Sequence, residues 1–173
     1  MLKDSRAFED PDQASAAAFR IVMTETNPGP IVLWLASRYE NIELAQAALD
    51  HVCRHRGVPS EDGHWIGIAL REAVANAIKH GNQQDPTKRV LVSFKGEDGE
   101  LQIVVGDEGQ GFDPNRLADP LAPENQLKTS GRGIFYIKTF MDEVSFSRSE
   151  SGGTILTMKK NLKADKSKGV EKP

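Results

Sequence analysis

The sequence predicts an α+β fold, a two-layer sandwich in which a mostly antiparallel sheet carries helices on one face. Two pairs of strand-like apolar runs are each joined by a short glycine-containing loop, as in antiparallel hairpins. Three segments between them repeat apolar residues at helical spacing. The predicted elements are strand 31–35, helix 39–56, helix 60–80, strands 89–94 and 100–105, helix 134–141, and strands 143–148 and 154–159.

Glycine, proline and capping residues set the predicted boundaries. Asn27-Pro28-Gly29-Pro30 is a breaker cluster and marks the start of the domain. Gly57-Val58-Pro59 ends the first helix, and Ser60 is the expected N-cap of the second. Gly81-Asn82 is expected to end that second helix in the usual way. The hairpin loop between the next two strands runs from Gly96 to Gly99.

The chain divides into one domain and two polar ends. We expect residues 1–27 to form an N-terminal extension that is partly disordered or contains a short helix. Residues 28–161 form the domain, and residues 162–173 are a lysine-rich tail expected to be disordered. Inside the domain, residues 108–130 form a glycine- and proline-rich stretch that is long for a connector. Loops of this length are usually functional lids or disordered segments.

The composition narrows the classes of function. The 173 residues carry a formal net charge of −3, which gives no support for a nucleic-acid or membrane partner. No apolar run approaches the roughly 20 residues that span a bilayer, and the N-terminus lacks the apolar core of a signal peptide. Cys53, the single cysteine, excludes an internal disulfide and a cysteine-based metal cluster. We expect it to be a small buried hydrophobe in a cytoplasmic protein.

A first polar cluster lies on the second predicted helix. Glu72 and Asn76 are four residues apart and therefore share one face, which Lys79 and His80 continue by another turn. Apolar and alanine residues crowd the same stretch, so the helix should be largely buried. Buried helices seldom carry Glu and Asn without partners for them, and a metal–phosphate complex would supply those partners. The alternative is a narrow solvated face.

Two further clusters are rich in glycine. Asp107 ends an apolar strand and is followed by Gly109 and Gly111, so the backbone can turn sharply and approach a flat ligand closely. The Asp107 carboxylate can accept a hydrogen bond from an exocyclic amine such as that of adenine. Gly131 and Gly133 open a helix, where free N–H groups and the helix dipole favour phosphate. A plain Asp/Gly turn and an ordinary glycine-rich loop are the alternatives.

Together the three clusters resemble the Bergerat-type ATP-binding fold shared by gyrase, a heat-shock chaperone, histidine kinases and mismatch-repair ATPases. The helix segment Glu72–Gly81 resembles the N box of that superfamily. Asp107-x-Gly109-x-Gly111 and Gly131-x-Gly133 resemble its two glycine boxes, and Gly153-Thr154 resembles the element that supports adenine binding.

Within this superfamily, three segments resemble the bacterial anti-sigma-factor serine/threonine kinases. They are Glu72-Ala-Val-Ala-Asn-Ala-Ile-Lys-His-Gly81, Ser130-Gly-Arg-Gly-Ile-Phe-Tyr-Ile137 and Phe140-Met-Asp-Glu-Val144. The resemblance covers about residues 30–160.

The resemblance implies ATP and Mg²⁺ as cofactors and assigns a role to each site residue. Asn76 would ligate Mg²⁺, and Glu72 would be the general base that deprotonates the acceptor serine or threonine. Asp107 would contact the adenine amine, with Gly111 lying against the base and Thr154 assisting through water.

The same resemblance assigns the phosphates to the second glycine box. Gly131, Arg132 and Gly133 would close over them through backbone N–H groups. Lys79 would contact the phosphates, and His80 would support the helix end.

The family also implies partners. Its members phosphorylate an anti-sigma-factor antagonist, bind a sigma factor in another state, and are commonly homodimers. By analogy, the dimer surface would be the strand that carries Trp34 together with the helix from Tyr39 to His55. One departure favours a non-catalytic, ATP-dependent protein-binding switch instead, because Thr129 stands where the family often has arginine. An unrelated α+β binding protein is the third reading.

Overall fold

The computed structural model describes residues 29–97, 99–111, 132–150 and 152–162, except for the side chain of Arg132. The predictions for the N-terminal extension, for most of the long loop, for Gly131 and for the tail lie outside these residues. The elements are β1 (Ile31–Ala36), α1 (Ile42–Arg56), α2 (Ser60–Asn76), β2 (Arg89–Glu97), β3 (Glu100–Asp107), α3 (Arg132–Phe140), β4 (Glu143–Arg148) and β5 (Thr154–Asn161).

The five strands form one antiparallel sheet in the order β1-β2-β3-β5-β4. Each hairpin places its two strands side by side, and β5 then pairs with β3, so that β4 becomes an edge. Val90 pairs with Asp107 at one end of the central ladder, and Glu97 pairs with Glu100 at the other. This topology places the C-terminal end of β3 beside the start of β5, which brings Asp107 close to Thr154.

The three helices cover one face of the sheet, as the sequence predicts. Alternate strand residues face the helices and are buried, because successive side chains of a strand point to opposite faces. Cys53 lies in this core at 9% exposure, and burial raises the pKa of its thiol. No helix in the described ranges is long and apolar enough to cross a membrane. The largest fully buried core residues are Leu33, Leu49, Ile66, Leu70, Val74, Ile78, Val90, Val92, Leu101, Ile103, Ile137 and Met158.

The two ends of α2 differ from the predicted ones. The helix begins at Ser60 with Pro59 in the N-cap position, so the prediction of Ser60 as N-cap is wrong by one residue. Pro59 fits there because its ring fixes φ and its ψ of 142° is extended. At the other end, a π-helical turn from Ala77 to Gly81 extends the helix. Such turns are frequent at functional sites.

The helix end itself is not built on Gly81. The left-handed backbone conformation occurs two residues later, with φ of 56° at Gln83 and 60° at Gln84. The N–H of Gln84 donates to the carbonyl of Ile78, and the N–H of Asn82 donates to the carbonyl of Ala77. Gly81 is therefore not needed for its φ, and its role must be sought in what packs against it.

Candidate functional site

The carboxylate of Asp107 is held in one orientation at the end of β3. Its Oδ1 accepts two backbone hydrogen bonds, from the N–H of Gly109 at 2.9 Å and from the N–H of Thr154 at 3.1 Å. The residue is only 8% exposed. No group in the described part of the chain donates to Oδ2. This oxygen is therefore available to accept a hydrogen bond from a ligand.

Three glycines pack so closely around Asp107 that no side chain fits at their positions. A Cβ at Gly81 would overlap the Asp107 carboxylate, and one at Gly109 would overlap the carbonyl of Gly81. A Cβ at Gly153 would overlap the main-chain carbonyl of Asp107. The sequence analysis placed Gly81 at the end of a helix and of the N-box-like segment, without a ligand role of its own. Its contact with Asp107 now makes it part of the site.

Substitution of Gly81 by alanine is expected to weaken ATP binding about 10- to 100-fold. The new methyl group would displace the Asp107 carboxylate, and overpacking of this kind costs about 1–3 kcal/mol. Calorimetric titration with ATP measures the loss. Gly63→Ala is the matched control, because its Cβ would only reach Cys53 Sγ at 3.8 Å. That helical exchange should stabilise the fold by roughly 0.5–1 kcal/mol and leave affinity unchanged, and equal affinities in the two variants would contradict the assignment.

The last residue of the first glycine box is tied to the β4–β5 hairpin. Gly111 has φ of 73°, and a Cβ there would lie 2.8 Å from the carbonyl oxygen of Gly152. Arg148 joins the two segments, because its Nη2 donates to the carbonyl of Gln110 at 2.7 Å and its Nε donates to the carbonyl of Gly152 at 3.0 Å. Sequence reasoning missed Arg148, since an arginine at a strand end carries no signal of this contact.

Glu72 and Asn76 form the opposite side of the site. Both side chains are half-buried, and neither has a hydrogen-bond partner in the described structure. A Cβ at Gly133 would lie 2.5 Å from Glu72 Oε2 and 3.3 Å from Asn76 Nδ2. The first turn of α3, with its free N–H groups and positive dipole end, therefore packs against the two polar side chains. An anionic ligand would bind the N–H groups of this turn, and a cation bound to that ligand would contact the oxygens of the two polar side chains.

The other predicted site residues differ in where they lie. Lys79 and His80 are exposed on the π-helical turn, so their predicted roles at the phosphates stay predictions. Gly131 and the side chain of Arg132 lie outside the described residues. Thr154 is 8% exposed and reaches Asp107 through its backbone N–H. The water-mediated role predicted for Thr154 is untested.

The two sides belong to one site because α2 connects them. Asn76 ends α2, and the π-helical turn that follows it carries Gly81 to the Asp107 carboxylate. A nucleotide with its base at Asp107 would thus extend toward α3, Asn76 and Glu72. In the described ranges, no three His, Cys, Asp or Glu side chains cluster to hold a metal. A Mg²⁺ ion that takes one amide oxygen together with phosphate and water oxygens needs no such cluster, so Asn76 fits it.

Comparisons with known proteins show the family to which the chain belongs. Residues 35–160 match the family model of the histidine kinase-like ATPase domain. The chain is 32% identical to the serine-protein kinase RsbW of Staphylococcus epidermidis over 136 residues, which cover 75% of this chain and 85% of that protein. It is also 32% identical to an anti-sigma F factor of Geobacillus kaustophilus over 136 residues, or 78% and 93% of the two chains.

A solved structure shares the fold. The RsbU and RsbW domains of Rv1364c from Mycobacterium tuberculosis superpose with a TM-score of 0.57 at 21% identity, over 78% of this chain and 33% of that one. The fold and the site define a histidine kinase-like ATPase domain. The chain belongs to that family, in the branch that contains bacterial RsbW-type serine-protein kinases and anti-sigma factors.

Proposed function

We propose that this protein is an ATP-binding anti-sigma factor and serine/threonine kinase that phosphorylates an anti-sigma-factor antagonist and so regulates transcription by partner switching. The observation that carries the proposal is the half-buried carboxylate of Glu72, without a hydrogen-bond partner in the described structure, beside Asn76 and against Gly133. A carboxylate in this position has no structural role among these contacts. It has the chemistry of a general base at the end of a bound nucleotide.

The proposed reaction gives each of these groups one role. Asp107 Oδ2 accepts a hydrogen bond from the adenine amine, and the N-terminus of α3 binds the phosphates. Mg²⁺, held by Asn76, would neutralise phosphate charge in the transition state. Glu72 takes the proton of the acceptor hydroxyl while the oxygen of that hydroxyl attacks the γ-phosphorus. The bond from that phosphorus to the bridging oxygen breaks, and ADP leaves.

The partners belong to the same proposal. Trp34 on β1 and Leu44 on α1 are large apolar side chains with 44% and 46% exposure. By analogy with the family, we place a homodimer contact or a bound sigma factor at β1 and α1. Relatives in this branch are named for anti-sigma activity. A cytoplasmic location follows from these partners, because sigma factors act there.

A second candidate is a switch that binds ATP and exchanges partners without transferring phosphate. Thr129 favours it, because the family often uses an arginine at that position for phosphate and partner contacts. Both candidates require ATP and differ only in whether Glu72 acts on a bound hydroxyl.

Affinity capture from the native host separates the two candidates. The protein is used as bait in parallel with Mg-ATP and with Mg-ADP, and captured proteins are mapped for phosphoserine and phosphothreonine. If the protein is a kinase, we expect a captured protein that is phosphorylated only in the presence of ATP. Nucleotide-dependent capture without a phosphosite would favour the switch, and capture that ignores the nucleotide would contradict both.

A further inference from the structure

Asn82 is a fully buried polar side chain for which the proposed chemistry has no use. It follows the π-helical turn and has 0% exposure. Its Oδ1 accepts the N–H of Glu108 at 2.8 Å, and its Nδ2 donates to the carbonyl of Arg89 at 2.9 Å. One carboxamide thus bridges the first residue of β2 and the residue that follows β3.

The register of β2 and β3 shows which backbone hydrogen bonds this bridge replaces. Val90 pairs with Asp107, so Arg89 and Glu108 stand opposite each other as the next pair. The carbonyl of Lys88 points toward β1, where it accepts a hydrogen bond from the N–H of Ser37. Because successive residues of a strand direct their backbone groups to opposite sides, the N–H and carbonyl of Arg89 point toward β3. Two backbone hydrogen bonds would therefore close the ladder at this pair.

Side chains take both of those hydrogen bonds. The N–H of Glu108 and the carbonyl of Arg89 bind the Asn82 carboxamide, and the N–H of Arg89 donates to Glu108 Oε2 at 2.6 Å. The Arg89 guanidinium also holds Glu108 Oε1, at 3.0 Å from Nη2 and 3.2 Å from Nε. The two strands are thus held apart directly after Asp107. The chain can then turn so that the N–H of Gly109 reaches back to Asp107 Oδ1.

The geometry points to Asn82 as a positioning residue for Asp107, with the Glu108–Arg89 pair as its second support. Asn82 acts through the turn at Glu108 and touches no nucleotide itself. Its effect falls on the recognition of the adenine amine, because the turn fixes where Asp107 Oδ2 points. This inference rests on the proposed ATP site and adds a determinant of base selectivity.

The test compares ATP with inosine triphosphate, which carries a carbonyl oxygen where ATP carries the amine. A fixed carboxylate accepts from the amine and repels the carbonyl, so the wild-type protein should prefer ATP about 100-fold or more. In Asn82→Ala this preference should fall at least about tenfold, mainly through weaker ATP binding. The ratio of the two dissociation constants is the readout, because a partly unfolded sample affects both nucleotides equally.

A second variant covers the case in which Asn82→Ala does not fold. Glu108 is only partly buried, with a side chain 30% exposed, and Glu108→Ala removes the support on Arg89 without leaving a buried cavity. It should also lower the ATP preference, by about threefold or more. Leu101→Val, in the core at the far end of β3, is the control and should destabilise the fold while leaving the ratio unchanged.

The outcomes distinguish the inference from the function on which it rests. If folded Asn82→Ala keeps the wild-type preference for ATP, the positioning role alone is overturned. If Asn82→Ala does not fold, the same preference in Glu108→Ala overturns that role. A wild-type protein that binds neither nucleotide overturns the proposed ATP site and this inference with it. A reduced ratio in the variants but not in Leu101→Val supports the role.

Discussion

Glu72→Gln is expected to bind Mg-ATP with an affinity within about threefold of the wild-type value and to lose phosphotransfer by a factor of about 10²–10⁴. The exchange keeps the shape of the side chain beside Gly133 and removes its negative charge and its ability to take a proton. Since Glu72 has no hydrogen-bond partner within the described residues, its loss of charge should not destabilise the fold. Calorimetry measures the affinity, and single-turnover transfer to the captured antagonist measures the rate.

Glu43→Gln provides the matched control for this experiment. Glu43 is an exposed carboxylate on α1, and its Oε1 accepts a hydrogen bond from Arg71 Nη2 of α2 at 2.7 Å. The same chemical change there should leave both affinity and transfer intact, because exposed ion pairs contribute little. Full transfer by Glu72→Gln would remove the general-base assignment. Absence of transfer in the wild-type protein itself, with ATP bound, would favour the non-catalytic switch.

Local elements were predictable because apolar spacing is a short-range signal. The bounds of β4 agree with the prediction, and β1 is longer by one residue. β2 continues to Glu97 and β3 to Asp107, three and two residues beyond the predicted ends. Those residues are polar or glycine, and their own sequence does not favour a strand. They are extended because their backbones pair with a neighbouring strand, which a single segment cannot reveal.

The residues that follow α2 show more clearly what the local sequence does not predict. Gly81 and Asn82 together are a common helix-terminating pair, and that interpretation explained both residues from the local sequence alone. The structure uses them for packing against another part of the chain. Gly81 is small because the Asp107 carboxylate lies against it, and Asn82 bridges two strands that open beside it. The contacts of Gly81 with Asp107 and of Asn82 with Glu108 each join residues 26 positions apart, so only the fold reveals them.

The polar face of α2 was predicted for a physical reason that the structure supports. Glu72 and Asn76 were flanked by apolar residues, so their partners had to come from outside the helix. They are half-buried and packed against the first turn of α3. Extension of that face to Lys79 and His80 assumed regular α-helical spacing. The π-helical turn that begins at Ala77 changes the spacing, and both side chains are exposed.

Asn76→Ala is expected to remove the part of ATP affinity that depends on Mg²⁺. The amide oxygen of Asn76 is the proposed protein ligand, and the remaining ligands would be phosphate and water oxygens. Binding in the presence of Mg²⁺ should therefore weaken at least about 10- to 100-fold, the loss typical when even a residue that only supports a metal ligand is removed. Binding in EDTA should change little, because Asp107 and its glycines are untouched. Calorimetric titrations under the two conditions give both values.

Asn41→Ala is the control, because its amide donates to the carbonyl of Ala36 at 2.7 Å, in the turn that leads into α1 rather than in the site. It should leave both titrations unchanged. Equal Mg-ATP affinity in Asn76→Ala and the wild-type protein would remove Asn76 as metal ligand. Equal loss in Mg²⁺ and in EDTA would show that Asn76 supports the helix end or the nucleotide directly, because only a metal ligand makes the loss depend on the ion.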